Sequence, residues 1–322
     1  TTSMRTADWV AIHRKHHAKV ETEHDPHSPA FFGINKVLFQ GADLYHMEKN
    51  NKETIKKYSQ NCPTDWVEEK IYTGRNNLGI LVLFILSIIL FGTVGIIIWS
   101  IQMMWTPIFA AGGINGVGHH WGYRNYNTND DSTNMSPIGV IIGGEELHNN
   151  HHAYPTAAKF SLRPWEFDIG WMYIKVFGFL GLCKVKRLAP KPIIQNEENT
   201  DSKLITQSIL QSKLAVLTDF TQKVLKPIYK KEGFHMSFKL LADHPNRLNE
   251  NQESKLKDLL AKNIKLSTVY GLKNKLHELL HSREIKHDNF IEILNKWSAE
   301  AKSHGIKALD DFLVRLRSYK LT

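Results

Sequence analysis

The chain is poor in cysteine, with only Cys62 and Cys183 among its 322 residues. Two distant cysteines exclude a disulfide framework and a zinc ribbon, and so few are typical of a reducing compartment. The N-terminal region has no basic patch followed by an apolar core, so we expect no cleavable signal peptide. The phosphate-binding G-x-x-x-x-G-K-[ST] loop, the dinucleotide glycine fingerprint and the G-x-S-x-G nucleophile elbow are also missing. These absences leave few common enzyme classes open.

Charged side chains are missing from one long segment, because no Asp, Glu, Lys or Arg occurs between Asn76 and Tyr123. One membrane span needs about 20 apolar residues, so this segment is long enough for two. The Gly92–Gly95 step is a natural tight turn between them. The pattern therefore predicts a transmembrane hairpin at about residues 77–114, with arms near 77–91 and 96–114. A buried soluble helix followed by a core strand is the alternative interpretation.

The charge balance is basic, since 41 Lys and Arg exceed 32 Asp and Glu and the net charge is +9. This excess by itself fits nucleic acid, an anionic membrane surface or an acidic substrate. Basic residues flank the uncharged segment on both sides, including Lys70, Arg75 and Arg124. The positive-inside rule then predicts that both ends of the hairpin lie on the cytoplasmic side.

Histidine is abundant, with 17 copies, and two clusters share the spacing H-x-x-H-H. On a helix, positions i, i+3 and i+4 lie on one face, so three imidazoles can converge there on metal ions. Neutral imidazole is the commonest side-chain ligand of biological iron, zinc and copper. A further histidine follows Asn115 at i+4, at the end of the second hairpin arm. The candidate metal ligands are therefore His13, His16, His17, His119, His148, His151 and His152.

Other histidines lie in polar sequence and are predicted to be solvated: His24, His27, His46, His277 and His281. The last two form the pattern H-E-L-L-H, which leaves a zinc-protease helix as an alternative. No motif with a third zinc ligand follows, so a solvated helix face is the preferred interpretation. His120 neighbours His119 but points elsewhere on a helix, and it is not counted as a ligand.

Three segments, "DWVAIHRKHH", "NGVGHHWGYRNY" and "GEELHNNHHAYP", resemble the membrane-bound fatty acid desaturases. The likeness is to the bacterial branch related to stearoyl-CoA desaturase, and it covers about residues 6–190. It implies an integral membrane enzyme with two iron ions and O₂ as co-substrate. The substrate would be a long-chain acyl-CoA or acyl lipid, desaturated at carbon nine. It also implies a ferredoxin or cytochrome b5-type electron donor, a lipid bilayer and no nucleic acid partner. The location would be the bacterial inner membrane, with the histidines facing the cytoplasm.

The resemblance assigns roles to single residues. The cluster at residues 13–17 matches the second histidine box of the family, and that at residues 148–152 matches its third box. His119 matches an additional histidine ligand, and Asn115 matches a residue that holds an iron through water. The first box, H-x-x-x-x-H, has no counterpart among the residues before His13. The family uses nine histidines and this chain supplies seven. An inactive fragment and a related di-iron hydroxylase are therefore alternatives to a desaturase.

Other residues are weaker candidates for the site around these ligands. Trp9 and Trp121 are predicted to form part of the wall of an acyl-chain tunnel. Glu145, Glu146 and Asp168 are predicted to hydrogen-bond the far side of ligating imidazoles. Each of these three carboxylates could instead be a solvated helix charge.

The predicted fold class is all-α, with a transmembrane hairpin, cytoplasmic histidine-box helices and a soluble helical C-terminal region. Residues 1–192 form the predicted desaturase core. Residues 193–322 are rich in Lys, Glu, Leu and Asn at helical spacing and carry no site motif. They are predicted to form a soluble helical appendage of unknown role.

Overall fold

The computed structural model describes residues 4–75, 77–190, 193–194, 202–233, 238–243, 245, 248, 250–282 and 287–320. These residues are mostly helical and contain strands of only two residues, which confirms the all-α class. The chain divides into two compact units, residues 1–124 with 130–187 and residues 125–129 with 188–322. This division falls a few residues before the predicted boundary at residue 192.

The first unit combines short helices with one long apolar helix, and a parallel pair of strands aligns Ile138 with Phe167. Its elements are α1 (Thr6–Lys19), α2 (Pro29–Phe32), α3 (Ile34–Lys49), α4 (Lys52–Tyr58), a π-helical turn (Glu68–Tyr72), α5 (Leu78–Phe91), α6 (Val94–Trp105), a π-helical stretch (Thr106–Ile114), α7 (Asn115–Val117), β1 (Ile138–Gly139), a 3₁₀ turn (Glu145–Leu147), α8 (His148–Ala153), β2 (Phe167–Asp168) and α9 (Ile169–Phe179).

The apolar segment forms two helices joined at Gly92, whose φ of 60° suits a residue without Cβ. The second arm runs through α6 and α7 as one helix, Val94–Val117, of 24 residues. Among the described residues, this is the one helix long and apolar enough to cross a membrane. Helices α5 and α9 are apolar but shorter. The transmembrane hairpin therefore stays a prediction.

Helix α3 crosses the π-helical stretch at two glycines, which allow the two backbones to meet. A Cβ atom on Gly41 would clash with the carbonyl of Ala111, and one on Gly112 would clash with the carbonyl of Leu38. Side chains at these positions would force the helices apart. The crossing lies beside His119 in the chain and so helps to position it.

The substitution Gly112→Ala is expected to lower the free energy of unfolding by about 1–3 kcal/mol relative to Gly113→Ala, because overpacking forces backbone shifts. A Cβ atom on Gly113 meets its nearest neighbour, the carbonyl oxygen of Ile108, at an ordinary 3.4 Å. Both variants gain the same helix propensity, so the comparison isolates the clash. Thermal unfolding of the two purified variants in detergent measures the difference. Equal melting temperatures would contradict the close crossing.

The second unit has its own hydrophobic core, with buried residues drawn from positions 209–319. Phe220 lies at its centre, 5.0 Å from the ring of Phe312 in an edge-to-face contact. The elements are β3 (Ile193–Ile194), α10 (Ser202–Gln211), α11 (Lys213–Phe220), a π-helical turn (Thr221–Leu225), α12 (Lys226–Lys231), α13 (Lys239–Ala242), α14 (Glu250–Ala261), α15 (Ile264–His281), α16 (His287–Ser303), α17 (Lys307–Arg317) and β4 (Tyr319–Lys320), which pairs antiparallel with β3.

The buried ammonium group of Lys273 lies at the C-terminal end of α13. Lys273 donates hydrogen bonds to the carbonyl oxygens of Leu241, Ala242 and Asp243 at 2.7, 2.6 and 3.0 Å. These carbonyls end a short helix and have no partner within it, so the cation satisfies them. Burial lowers the pKa of Lys273 to about 7, and Asp243 opposes that effect.

The predicted solvated face at His277 and His281 is wrong for His277, which is only 5% exposed. Its ring stacks on His281 with centroids 4.2 Å apart, and its Nε2 lies 3.2 Å from Oδ1 of Asn129. The Nδ1 of His281 lies 3.0 Å from the carbonyl oxygen of His277, one helical turn earlier. No metal-ligating group in the described part of the chain includes either ring. The zinc-protease alternative therefore has no third ligand among these residues.

Candidate metal centre

Two helices carry the H-x-x-H-H clusters. Helix α1 holds the first cluster, and α8 begins directly at the second cluster, at His148. Before α8 the chain turns through Gly143 and Gly144, whose φ values of 68° and 102° favour glycine. The fold of the first unit brings the residues of the two clusters into contact with one another.

Four buried histidines form the first group: His16, His119, His148 and His152. Their ligand atoms all lie within 4.8 Å of one another. The Nε2 atoms of His119 and His148 are 3.1 Å apart, and those of His16 and His152 are 3.3 Å apart. Nitrogens that share a metal ion at about 2.1 Å lie about 3.0–3.4 Å apart in tetrahedral or octahedral geometry. The four-histidine group therefore has the spacing of a metal site.

Three further histidines form the second group: His13, His17 and His151. The Nε2 atom of His13 lies 2.9 Å from that of His151 and 3.1 Å from that of His17. The Nε2 atoms of His17 and His151 are 2.8 Å apart. Trp9 stacks on the ring of His13 with centroids 4.8 Å apart. The three-histidine group thus also has converging ligand atoms, and all seven predicted histidines belong to one group or the other.

Carboxylates lie behind the four-histidine group. In each case a carboxylate oxygen approaches the ring Nδ1: Asp25 to His16 at 2.9 Å, Asp130 to His152 at 3.0 Å, Glu21 to His119 at 3.4 Å and Glu145 to His148 at 3.5 Å. The contacts of His16, His152 and His119 are hydrogen bonds, whereas the Nδ1 of His148 has no hydrogen-bond partner. A carboxylate acceptor keeps the imidazole proton on Nδ1, which leaves the lone pair of Nε2 facing the other rings. Converging lone pairs repel one another unless a cation lies between them. The donor set therefore fits a metal ion.

Burial favours the neutral form of four ligand candidates, His16, His119, His151 and His152. Desolvation lowers the pKa of His119 and of His151 to about 3, and neighbouring histidines lower both further, while nearby carboxylates oppose part of the effect. Desolvation and neighbouring histidines also hold the pKa of His16 and of His152 well below the usual range. Neutral imidazole is the form that ligates metals, so no proton has to be displaced at neutral pH.

Two of the predicted carboxylate partners do not contact the histidines. Glu146 accepts hydrogen bonds from the backbone N–H groups of Ile141 and Ile142 and so organises the turn before α8. Asp168 accepts from the backbone of Phe160 and from the N–H of Trp171, which caps α9. The predicted role of both residues beside the imidazoles is wrong, because their hydrogen bonds come from backbone N–H groups and none joins them to a histidine among the described residues.

The other secondary predictions have mixed outcomes. Glu145 does lie beside an imidazole, at His148. Asn115 donates through Nδ2 to the carbonyl of Ala111 at 3.0 Å and borders the same cavity as His148. Trp121 is 70% exposed and does not border that cavity, so its predicted role in the tunnel wall is wrong.

Sequence reasoning misses four residues of the site. Three of them are the carboxylates of Glu21, Asp25 and Asp130. Their separations in sequence from the histidines they contact follow no helical spacing. The prediction of a solvated His27 is wrong, because this residue is buried and its ring stacks on His16 at 4.3 Å. The run of acidic residues directly after the first cluster is the one available signal.

A cavity of about 910 Å³ reaches the histidine groups. Apolar residues of α5, α6 and the π-helical stretch supply much of its lining. Polar and aromatic residues, including one histidine of each group, supply the rest. Representative lining residues are Ile80, Leu83, Met103, Ala110, Ala111, Ile114, Trp9, His13, Glu145 and His148. An apolar chain can therefore lie with one segment close to the imidazoles.

A helical unit in which two polyhistidine groups each contribute a ring to the lining of a largely apolar cavity defines a candidate metal-binding protein. Residues 1–166 match the fatty acid desaturase family, and the chain therefore belongs to that family. The resemblance inferred from the three histidine motifs is confirmed. Residues 202–321 match a second family, described as transposase.

Among curated relatives, an sn-1 stearoyl-lipid 9-desaturase of Synechocystis is 34% identical over 194 residues, 59% of this chain and 58% of the relative. An sn-1 stearoyl-lipid 9-desaturase of Anabaena variabilis is 30% identical, over 57% of this chain and 66% of the relative. Delta-9 acyl-lipid desaturase 2 of Arabidopsis thaliana is 28% identical, over 55% and 56%. The chain spans about three-fifths of the length of these relatives. No solved structure matches the chain.

Proposed function

We propose that this chain contributes the second and third histidine boxes of an O₂-dependent di-iron fatty acyl desaturase. The reaction is the introduction of a double bond, at carbon nine, into a long-chain acyl lipid or acyl-CoA. One observation carries the proposal: two converging histidine groups each contribute a ring to the lining of a largely apolar cavity of about 910 Å³. The names of the relatives support the acyl substrate and the position of the double bond.

The seven histidines would hold the two iron ions, which supply the oxidising power needed to remove hydrogen from an unactivated methylene. The cavity walls of α5 and α6 would bind the acyl chain in an extended form and exclude water, which fixes one carbon pair near the imidazoles. Asn115 would hold a water at the four-histidine group. Trp9 would fix the ring of His13 by stacking.

The membrane placement supports the same proposal. Helix α5 and the helix Val94–Val117 would form a hairpin with both ends on the cytoplasmic side of a bacterial inner membrane. Both histidine clusters would then lie on one face of the bilayer, where a ferredoxin or cytochrome b5-type carrier can deliver electrons.

The test is expression of this reading frame, together with any in-frame codons upstream of residue 1, in a host that lacks a comparable desaturase. We expect new monounsaturated acyl chains, with the double bond located at carbon nine by mass spectrometry of derivatised lipids. His148→Ala is expected to abolish them, because it removes a ligand from the four-histidine group. An unchanged lipid profile with verified expression and metal content would refute the proposal. Products heavier by one oxygen atom would indicate a hydroxylase instead.

A second candidate function is that of a metal-binding desaturase remnant without oxidative activity. The observation that favours it is the match of residues 202–321 to a family described as transposase, after the desaturase match in the chain. The remnant predicts bound metal without any change in the lipids of the expression host.

A further inference from the structure

We propose that the two metal sites are unequal: the four-histidine group binds a divalent metal ion first and more tightly, because the hydrogen-bonded carboxylates of Asp25, Asp130 and Glu21 orient its rings and offset the charge of the ion. The three-histidine group would fill second. The inference rests on the proposed metal centre but not on desaturase activity. All residues of the two histidine groups and their carboxylate partners belong to this chain.

The carboxylates are built into the fold rather than attached to a flexible surface. Asp25 is buried and also accepts hydrogen bonds from the backbone N–H groups of Glu21 and His27, at 2.9 and 3.1 Å. Asp130 is buried as well, and its second oxygen accepts from the backbone N–H of Ser132 at 3.1 Å. Each carboxylate is therefore fixed before any metal ion arrives.

The position of Glu21 is also constrained. Its backbone lies in the left-handed region, with φ of 60°, where a residue with a side chain is strained. The same carboxylate accepts a hydrogen bond from the backbone N–H of Asp131 while it contacts His119. The surrounding contacts hold an unfavourable backbone conformation that puts a negative charge behind an imidazole.

The three-histidine group lacks this support. In the described part of the chain, no carboxylate lies within ion-pair distance of His13, His17 or His151. The buried Nδ1 of His151 has no hydrogen-bond partner, whereas in the four-histidine group this is true of His148 but not of His16, His119 or His152. Glu145 acts on His13 and His151 only through space, since its contact is with His148.

The physical consequence is a difference in metal affinity. A hydrogen-bonded carboxylate fixes the ring, makes the ligating nitrogen more basic and offsets the charge of the incoming ion. Losing one such partner typically costs about 10–100-fold in affinity. The four-histidine group has three such partners and the three-histidine group has none among the described residues. We therefore expect its affinity for a divalent ion to exceed that of the three-histidine group by at least about 10-fold.

The experiment titrates the 322-residue chain in detergent with Co²⁺ after removal of metal by a chelator. Calorimetry counts the equivalents of Co²⁺ bound per chain, and the visible absorption of Co²⁺ reports the ligand geometry of each. We expect one equivalent bound with high affinity, the tight equivalent, and one bound with lower affinity, the weak equivalent. Asp25→Asn and Asp130→Asn are expected to weaken the tight equivalent about 10–100-fold and to leave the weak one unchanged. His17→Ala is expected to remove the weak equivalent and to keep the tight one.

The matched control is Glu23→Gln, two residues before Asp25, whose exposed side chain contacts only His24 among the ion pairs of the described residues. It is expected to change neither equivalent. Two equivalents of equal affinity would overturn the inference, and so would an equal weakening of both by Asp25→Asn. An absence of any Co²⁺ binding would overturn the proposed metal centre itself. The last result is thus distinguishable from a failure of the inference alone.

Discussion

The substitution His119→Ala is expected to lower the metal affinity of the four-histidine group by about 100-fold or more. A site with four protein ligands derives its binding free energy from all of them, and each ligand contributes a few kcal/mol of a total of about 10–16 kcal/mol. The ring of His119 is buried, and its Nε2 lies 3.1 Å from that of His148. Elemental analysis of the purified chain, after dialysis against a weak chelator, measures the loss.

His120→Ala is the matched control, because this neighbour on the same turn is exposed and belongs to neither histidine group. We expect it to retain the metal content of the unchanged chain. Circular dichroism should show equal helix content in both variants, which separates ligand loss from unfolding. A similar loss of metal in the two variants would show that the chain segment matters and not the ligand.

The second large effect concerns the helical unit that matches the transposase family. Phe220→Ala is expected to lower its free energy of unfolding by about 3–5 kcal/mol, the usual cost of removing a buried aromatic side chain. Phe220 is fully buried, and its ring contacts those of Phe312 and Trp297 at centroid distances of 5.0 and 6.1 Å. The cavity left behind cannot be filled by small shifts of these rigid rings. Chemical unfolding followed by Trp297 fluorescence measures the change.

Ile264→Ala is the control for this prediction, since Ile264 is 85% exposed and its truncation should cost little. Both variants are also expected to keep the metal content of the unchanged chain, because the core around Phe220 uses residues of the second unit alone. This expectation tests the predicted division into residues 1–192 and 193–322. Loss of metal in Phe220→Ala would contradict separate folding of the two parts.

The amino-acid sequence determined the family, the all-α class and the seven histidines of the candidate centre. Each of these is a local property. The spacing H-x-x-H-H places three rings on one helical face whatever the rest of the chain does. The apolar character of residues 77–114 is local in the same sense, because the absence of charged side chains is a matter of composition.

Tertiary structure alone decided which carboxylates lie behind the rings. Asp130 and His152 are 22 residues apart, and Glu21 and His119 are 98 apart, so no periodicity connects them. Glu146 stands close to the second cluster but is turned toward backbone donors, as is Asp168. His27 and His277 lie in polar sequence, yet the fold buries both.

The division of the seven histidines into groups of four and three could not be predicted from the sequence either. His16 and His17 are adjacent in the chain but belong to different groups, because neighbouring side chains on a helix point about 100° apart. The sequence therefore specified the ligands, which are set by helical spacing. The fold specified their partners and their inequality, since these depend on which distant segments meet around each ring.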